Sequence, residues 1–128
     1  MARLPNLIEK DLRDLTEEYS LNDDGTIKVI TRAFNPVNKA VEATCTIKFK
    51  SLETRGQLEV AYFLPIYLDY NILDIDENYA HALVSGSGMS YLWLLSRESI
   101  MPEEMKQRFL LKAAGLGFDI SKLEWMDY

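Results

Sequence analysis

Histidine and cysteine are nearly missing from this 128-residue sequence, with one of each, His81 and Cys45. A lone cysteine excludes an internal disulfide and any multi-cysteine metal centre. A lone histidine excludes a zinc or catalytic site built on several imidazoles. Basic residues are outnumbered, 14 against 20 acidic ones, for a formal net charge of −6. That balance argues against nucleic-acid phosphates as partners and against charge-driven adsorption to anionic membranes, since both need a basic face. No apolar run approaches the roughly 18 residues of a membrane-spanning helix, so no transmembrane segment is expected. The start, Met1-Ala2-Arg3-Leu4-Pro5, lacks the apolar core of a signal peptide and gives no cellular address.

Cofactor and metal signatures are also wanting. Asp74-Ile75-Asp76-Glu77-Asn78 resembles the opening of a calcium loop, but Tyr79 stands where a sharp turn needs glycine and Ser85 where a bidentate glutamate is required. A solvated turn between strands is the better account. Gly86-Ser87-Gly88 has the spacing of neither a dinucleotide loop nor a nucleophile elbow and reads as a hairpin tip. His81 has no nucleophile placed beside it by the sequence, so it reads as structural. No acid–base pair with a nucleophile emerges, and neither an enzyme nor a cofactor is expected.

What the sequence has is alternation. Hydrophobic residues make up 48% and charged residues 27%, as in an ordinary globular chain, and the length suits one domain over 1–128. In the run 41–49, Val41, Ala43, Cys45, Ile47 and Phe49 fall on one side, with Glu42, Thr44, Thr46 and Lys48 on the other. That pattern is a half-buried strand. Similar runs cover 26–34 and 57–63, and a turn at 74–78 separates the runs 67–73 and 80–85. The continuously apolar run 91–96 suits a strand covered on both faces, and 118–126 reads as a last extended segment. Asn22-Asp23-Asp24-Gly25 predicts a hairpin turn, and Asn35-Pro36-Val37-Asn38 another break. Pro102, Glu103 and Glu104 open a helix whose apolar stripe runs through Met105, Phe109, Ala113 and Leu116. The run 4–15 fits an amphipathic helix or an apolar irregular lid. About seven antiparallel strands and one C-terminal helix predict an all-β sandwich or up-and-down barrel. Its aromatics, among them Tyr62, Tyr70, Tyr91 and Trp93, suit either a plain core or the wall of a ligand cavity.

Several segments in order, 19–27, 34–36, 65–73, 81–86, 91–97 and 117–123, resemble the lipocalins, and among them the bacterial outer-membrane lipoprotein branch. Asp69-Tyr70 matches the family's second motif and Arg97 its third. The first motif, Gly-x-Trp, is absent, because the chain begins just after its place. The resemblance implies an antiparallel β-barrel with a helix packed outside, holding a fatty acid, lysophospholipid or similar small hydrophobic ligand. With the strand parity so read, the implied wall is Val41, Ala43, Cys45, Ile47, Leu58, Val60, Tyr62, Tyr70, Tyr91 and Trp93. A tyrosine hydroxyl is expected to fix the ligand's polar end. A shortened first strand implies exposed barrel edges and pairing into a homo-dimer or higher oligomer. It also leaves Arg97 without the tryptophan it packs on in relatives, with Trp125 as the expected cover. The alternative is an oligomeric interaction protein without a usable ligand cup. A longer lipoprotein form would belong to the periplasmic face of the outer membrane.

Overall fold

The computed structural model describes residues 2–3, 11–49, 57–63 and 66–126, with the side chains of 61–63 and 66–68 outside the description. The chain forms two compact units, one of Asp11–Asn71 and one of Met1–Lys10 with Ile72–Tyr128. Among the described residues there are nine antiparallel strands: β1 (Ala2–Arg3), β2 (Arg13–Leu21), β3 (Ile27–Phe34), β4 (Ala40–Phe49), β5 (Gln57–Phe63), β6 (Ile66–Ile75), β7 (His81–Ser85), β8 (Leu92–Ser96) and β9 (Glu124–Trp125). One helix, α1 (Glu103–Gly115), follows β8.

In the unit of Asp11–Asn71, β2 to β6 are hydrogen-bonded in chain order. The turns are the expected ones. Gly25 takes φ +83°, and the Asn22 amide donates to the Thr26 carbonyl at 2.8 Å. Asn38 takes φ +60°, which asparagine tolerates better than most residues, and the Asn35 carboxamide accepts from the Lys39 amide. Register then sorts the side chains, because directly opposed residues share a face. Thr31, Val29 and Ile27 of β3 oppose Ala43, Cys45 and Ile47 of β4; Ile47 and Phe49 in turn oppose Val60 and Leu58 of β5. Val29, Ala33, Cys45, Ile47, Leu58 and Val60 are buried. The opposite face is wet: Arg32 bridges Glu18 and Glu42, both at 2.9 Å, and Lys48 lies 3.4 Å from Glu59. The alternation of β4 is therefore realised in its register, with burial on the apolar side at Cys45 and Ile47.

The second unit contains the end of β6 and then β7, β8, β1 and β9 as successive neighbours. Leu83 opposes Leu94, which in turn opposes Ala2, and Leu92 shares their face. Phe109 and Ala113 of α1 pack on this face together with Met101 and Phe118, all buried. Pro102 sits just before the helix and Glu103 and Glu104 in its first turn, where a missing N–H costs nothing and negative charge faces the dipole favourably. The helix ends at Gly115; just beyond its C-cap Gly117 takes φ +99°, and the Phe118 amide donates to the Ala113 carbonyl.

Four expectations change. The strands number nine among the described residues rather than about seven, because β1 and β2 add to the count. Residues 13–15 belong to β2, not to a helix or lid; Leu4–Lys10 lie outside the described residues. β2 escapes the alternation test because Glu17 and Glu18 put a charge on each of its faces. The segment 118–126 is not continuous strand: the Asp119 carboxylate accepts from the Ser121 amide and hydroxyl, folding 120–122 into a 3-10 turn before β9. Leu116 lies beyond the helix at its C-cap and is exposed, so the apolar stripe ends at Ala113.

Candidate functional site

The expected wall residues divide between the units. Val41, Ala43, Cys45, Ile47, Leu58, Val60 and Tyr70 share one face of β4, β5 and β6, since Leu58 opposes Tyr70. Tyr62 lies in β5, but its side chain is outside the described residues. In the other unit, Tyr91 and Trp93 stack with ring centroids 5.8 Å apart and planes at 24°. Gly86 makes room for this pair, because a Cβ there would come within 2.8 Å of the Tyr91 Cβ. Trp93 shares its face with Val84 and Arg3, away from the face covered by α1.

The apolar face of β2–β6 is not uniformly closed. Cys45 and Ile47 are buried, whereas Ala43 is exposed and Val41 half-buried along the same strand. Tyr19, opposite Val29, is 44% exposed. Accessible surface on an apolar sheet face is what a small-molecule wall requires.

One polar group interrupts this face. Glu17, Tyr19 and Leu21 of β2 oppose Thr31, Val29 and Ile27, which places Glu17 and Tyr19 on the same side as Ala43 and Cys45. The Tyr19 hydroxyl donates to Glu17 Oε2 and lies 3.0 Å from the Tyr70 hydroxyl. Burial is the first cause pushing the Tyr19 hydroxyl above its ordinary pKa, with Tyr70 and Glu17 adding to it. Burial, then Glu17, does the same to Tyr70. Both phenols therefore stay protonated. The Cys45 thiol is pushed up to about 12, by burial first and by Glu17 second. Tyr70 is among the expected wall residues; Glu17 and Tyr19 are not. Their signal is the period-2 placement of Glu17 and Tyr19 beside Leu15 and Leu21, a charge set within an otherwise apolar parity.

The two motif residues do different work from the wall. Asp69 opposes Glu59 in the β5–β6 ladder. Arg97, just past β8, donates from Nε to the Tyr79 carbonyl at 2.7 Å, and its amide donates to the Ala80 carbonyl. It thus ties down the β6–β7 turn, where Tyr79 holds φ +54° and the Asp76 carboxylate accepts from the Ala80 and His81 amides. His81 is buried with Nδ1 3.1 Å from Asp76 Oδ2, so this acidic stretch caps a turn. The expected Arg97–Trp125 pair is replaced: Lys106 of α1 lies over the Trp125 ring at 5.1 Å. The register explains this, because Trp125 opposes Ala2 on the face that α1 covers.

An antiparallel meander with one C-terminal helix and a partly open apolar face defines a β-class ligand-binding architecture. A family model for the lipocalin-like domain matches residues 1–128, and the chain belongs to that family. It is 39% identical over 127 residues to the outer membrane lipoprotein Blc of Escherichia coli strain K12, covering 98% of this chain and 72% of that protein. Blc of Vibrio cholerae is 35% identical over 125 residues, covering 96% and 73%. Among solved structures, lobster apocrustacyanin A1 superposes with a TM-score of 0.79 at 12% identity, over 98% of this chain and 72% of that one. The cockroach allergen Per a 4 reaches 0.75 at 20% identity, over 99% and 80%. These two likenesses establish the fold.

Proposed function

We propose that this chain is a single-domain carrier that holds a fatty acid, lysophospholipid or similar molecule by burial, without chemistry. Membership of the lipocalin-like family supports small hydrophobic ligand binding in general. The observation that carries the finer reading is the apolar face of β2–β6, where accessible Ala43 and Tyr19 adjoin buried Val29, Cys45 and Ile47. Each CH₂ buried there contributes about 0.8 kcal/mol, so an acyl chain binds with few polar contacts. The wall so proposed takes in Val41, Leu58, Val60, Tyr62 and Tyr70 as well; Tyr91 and Trp93 form a separate stacked pair in the other unit.

Replacing Ala43 with Trp fills this face from an exposed position that the fold does not need. Fatty-acid uptake, read by native mass spectrometry before and after mild organic extraction, is expected to disappear while the thermal transition persists. Unchanged uptake by a folded variant would refute the wall assignment.

A second reading, a homo-oligomeric interaction protein, is favoured by one observation: β2 and β9 are the terminal strands of the hydrogen-bonding order. A strand at the end of such an order is where a strand of a second chain would add. The same spectra distinguish the readings, since dimers without extractable mass that refuse added lipid would favour it. The names of the Blc relatives support outer-membrane association of a longer form.

A further inference from the structure

We infer that Tyr19 and Tyr70 form a strap across the apolar face of β2–β6, and that this strap sets the length of ligand chain the face admits. The inference rests on the carrier reading above and narrows it to chains that stop short of the strap.

Strand order makes the contact informative. β2 and β6 are not neighbours, because β3, β4 and β5 stand between them. In a flat sheet, four spacings of about 4.8 Å would hold β2 and β6 roughly 19 Å apart. Their tyrosine hydroxyls nevertheless lie 3.0 Å from each other. The sheet of Asp11–Asn71 therefore curls, with the apolar face inside the bend and the two phenols meeting across it. The Tyr19 hydroxyl also donates to Glu17 Oε2 on its own strand, which fixes the ring in that position.

What lies between the two anchor points is closed. Tyr19 stands in one row with Val29 and Cys45, and Tyr70 in another with Leu58. Ile47 and Val60 oppose each other in the row between. None of Val29, Cys45, Ile47, Leu58 and Val60 is more than 7% exposed. The next position from Cys45 on the same face, Ala43, is exposed, and Val41 beyond it is half-buried. Alternation cannot produce that step, since Ala43 and Cys45 share one parity; a cover over this floor does. Cys45 is among the groups acting on the Tyr70 hydroxyl, in keeping with a thiol beneath the strap. A chain lying over Ala43 buries its methylenes until it meets the phenols. Going further means parting them, and with them a hydrogen bond to a carboxylate, which is stronger than one between neutral groups.

Saturated fatty acids from hexanoate to tetradecanoate, titrated by calorimetry into the whole protein at pH 8 below their micellar range, test this. In the native protein, affinity is expected to rise about fourfold per CH₂ and then to level off within the series. In Tyr19→Ala the rise is expected to run on for about two more methylenes, a gain of about tenfold for the longest acid. Tyr19→Phe keeps the ring and loses both hydroxyl contacts. It too is expected to move the plateau outward, and it decides the matter if Tyr19→Ala does not fold. Iodoacetamide gives a reading without ligand: removing the cover is expected to speed Cys45 alkylation about tenfold in folded Tyr19→Ala. A native series with no plateau, or the native plateau kept by every variant that folds, would overturn the strap while leaving the carrier reading standing. An unchanged alkylation rate in folded Tyr19→Ala would do the same. No uptake of any acid by native protein or variants would overturn both.

Discussion

Cys45 shows how much a single residue owes to its strand. It is 7% exposed on β4 beside buried Ile47, and its thiol is pushed up to about 12 by burial before any charge acts. The thiolate is the reactive species, so a thiol held protonated is inert. Iodoacetamide at pH 8 is therefore expected to alkylate native Cys45 at least about a hundredfold more slowly than the same residue in urea, as followed by intact mass. Native alkylation at the unfolded rate would contradict the burial. The Glu17→Gln variant is expected to remain slow, because burial outranks the carboxylate. The thiol's setting was legible in sequence, since residue 45 sits mid-parity among Val41, Ala43 and Ile47. Glu17 and Tyr19 were illegible for a physical reason: Tyr70 lies 51 residues from Tyr19 on a strand that is not its ladder neighbour, and only the folded sheet brings the hydroxyls together. Arg97 shows the same limit. A motif match located it at the end of β8, but its acceptor, the Tyr79 carbonyl, depends on how a turn with positive φ closes.

At the scale of elements, α1 is held by packing more than by capping. Its N-cap residue, Pro102, makes no side-chain hydrogen bond, and only Phe109 and Ala113 are buried within it. Phe109 is fully buried against Leu83, Leu92 and Leu94. Phe109→Ala removes a ring from a site walled by strand side chains that cannot collapse inward, which costs about 3–5 kcal/mol. Urea denaturation is expected to show a loss of that size; a loss below about 1 kcal/mol would mean that the helix does not anchor this core. The exposed Leu111→Ala on the same helix, at 74% exposure, is expected to change stability by less than about 0.5 kcal/mol. The helix was readable because Met105, Phe109 and Ala113 recur at intervals of four, and β4 because its two faces differ in every residue. β2 and β9 were harder. A two-residue strand such as Glu124–Trp125 exists through its pairing with Ala2 and Arg3, and no local pattern encodes that. Where local periodicity and tertiary pairing agree, a sequence declares its elements; where pairing alone decides, it does not.

Across the whole molecule, one kind of group recurs at the turns: an aspartate whose carboxylate closes a short loop. The Thr26 hydroxyl and amide hold Asp24 below its ordinary pKa, the His81 amide leads in doing so for Asp76, and the Ser121 hydroxyl does so for Asp119. All three shifts have one sign. A carboxyl with a depressed folded-state pKa binds its proton more weakly folded than unfolded, so it stabilises the fold above the ordinary carboxylate pKa. That contribution fades as pH falls through the ordinary range and on to the depressed folded values. The urea midpoint is therefore expected to be flat from about pH 8 to about pH 5 and to decline below about pH 4. Asp76 matters most among the three, because its carboxylate serves the Ala80 and His81 amides and faces the buried imidazole within a turn that Arg97 also holds. Asp76→Asn is expected to lower the midpoint at pH 7 and to make the acid decline shallower, since the amide no longer titrates. A midpoint that rises on acidification, or an Asp76→Asn profile parallel to the native one, would show that these turns do not couple proton binding to folding.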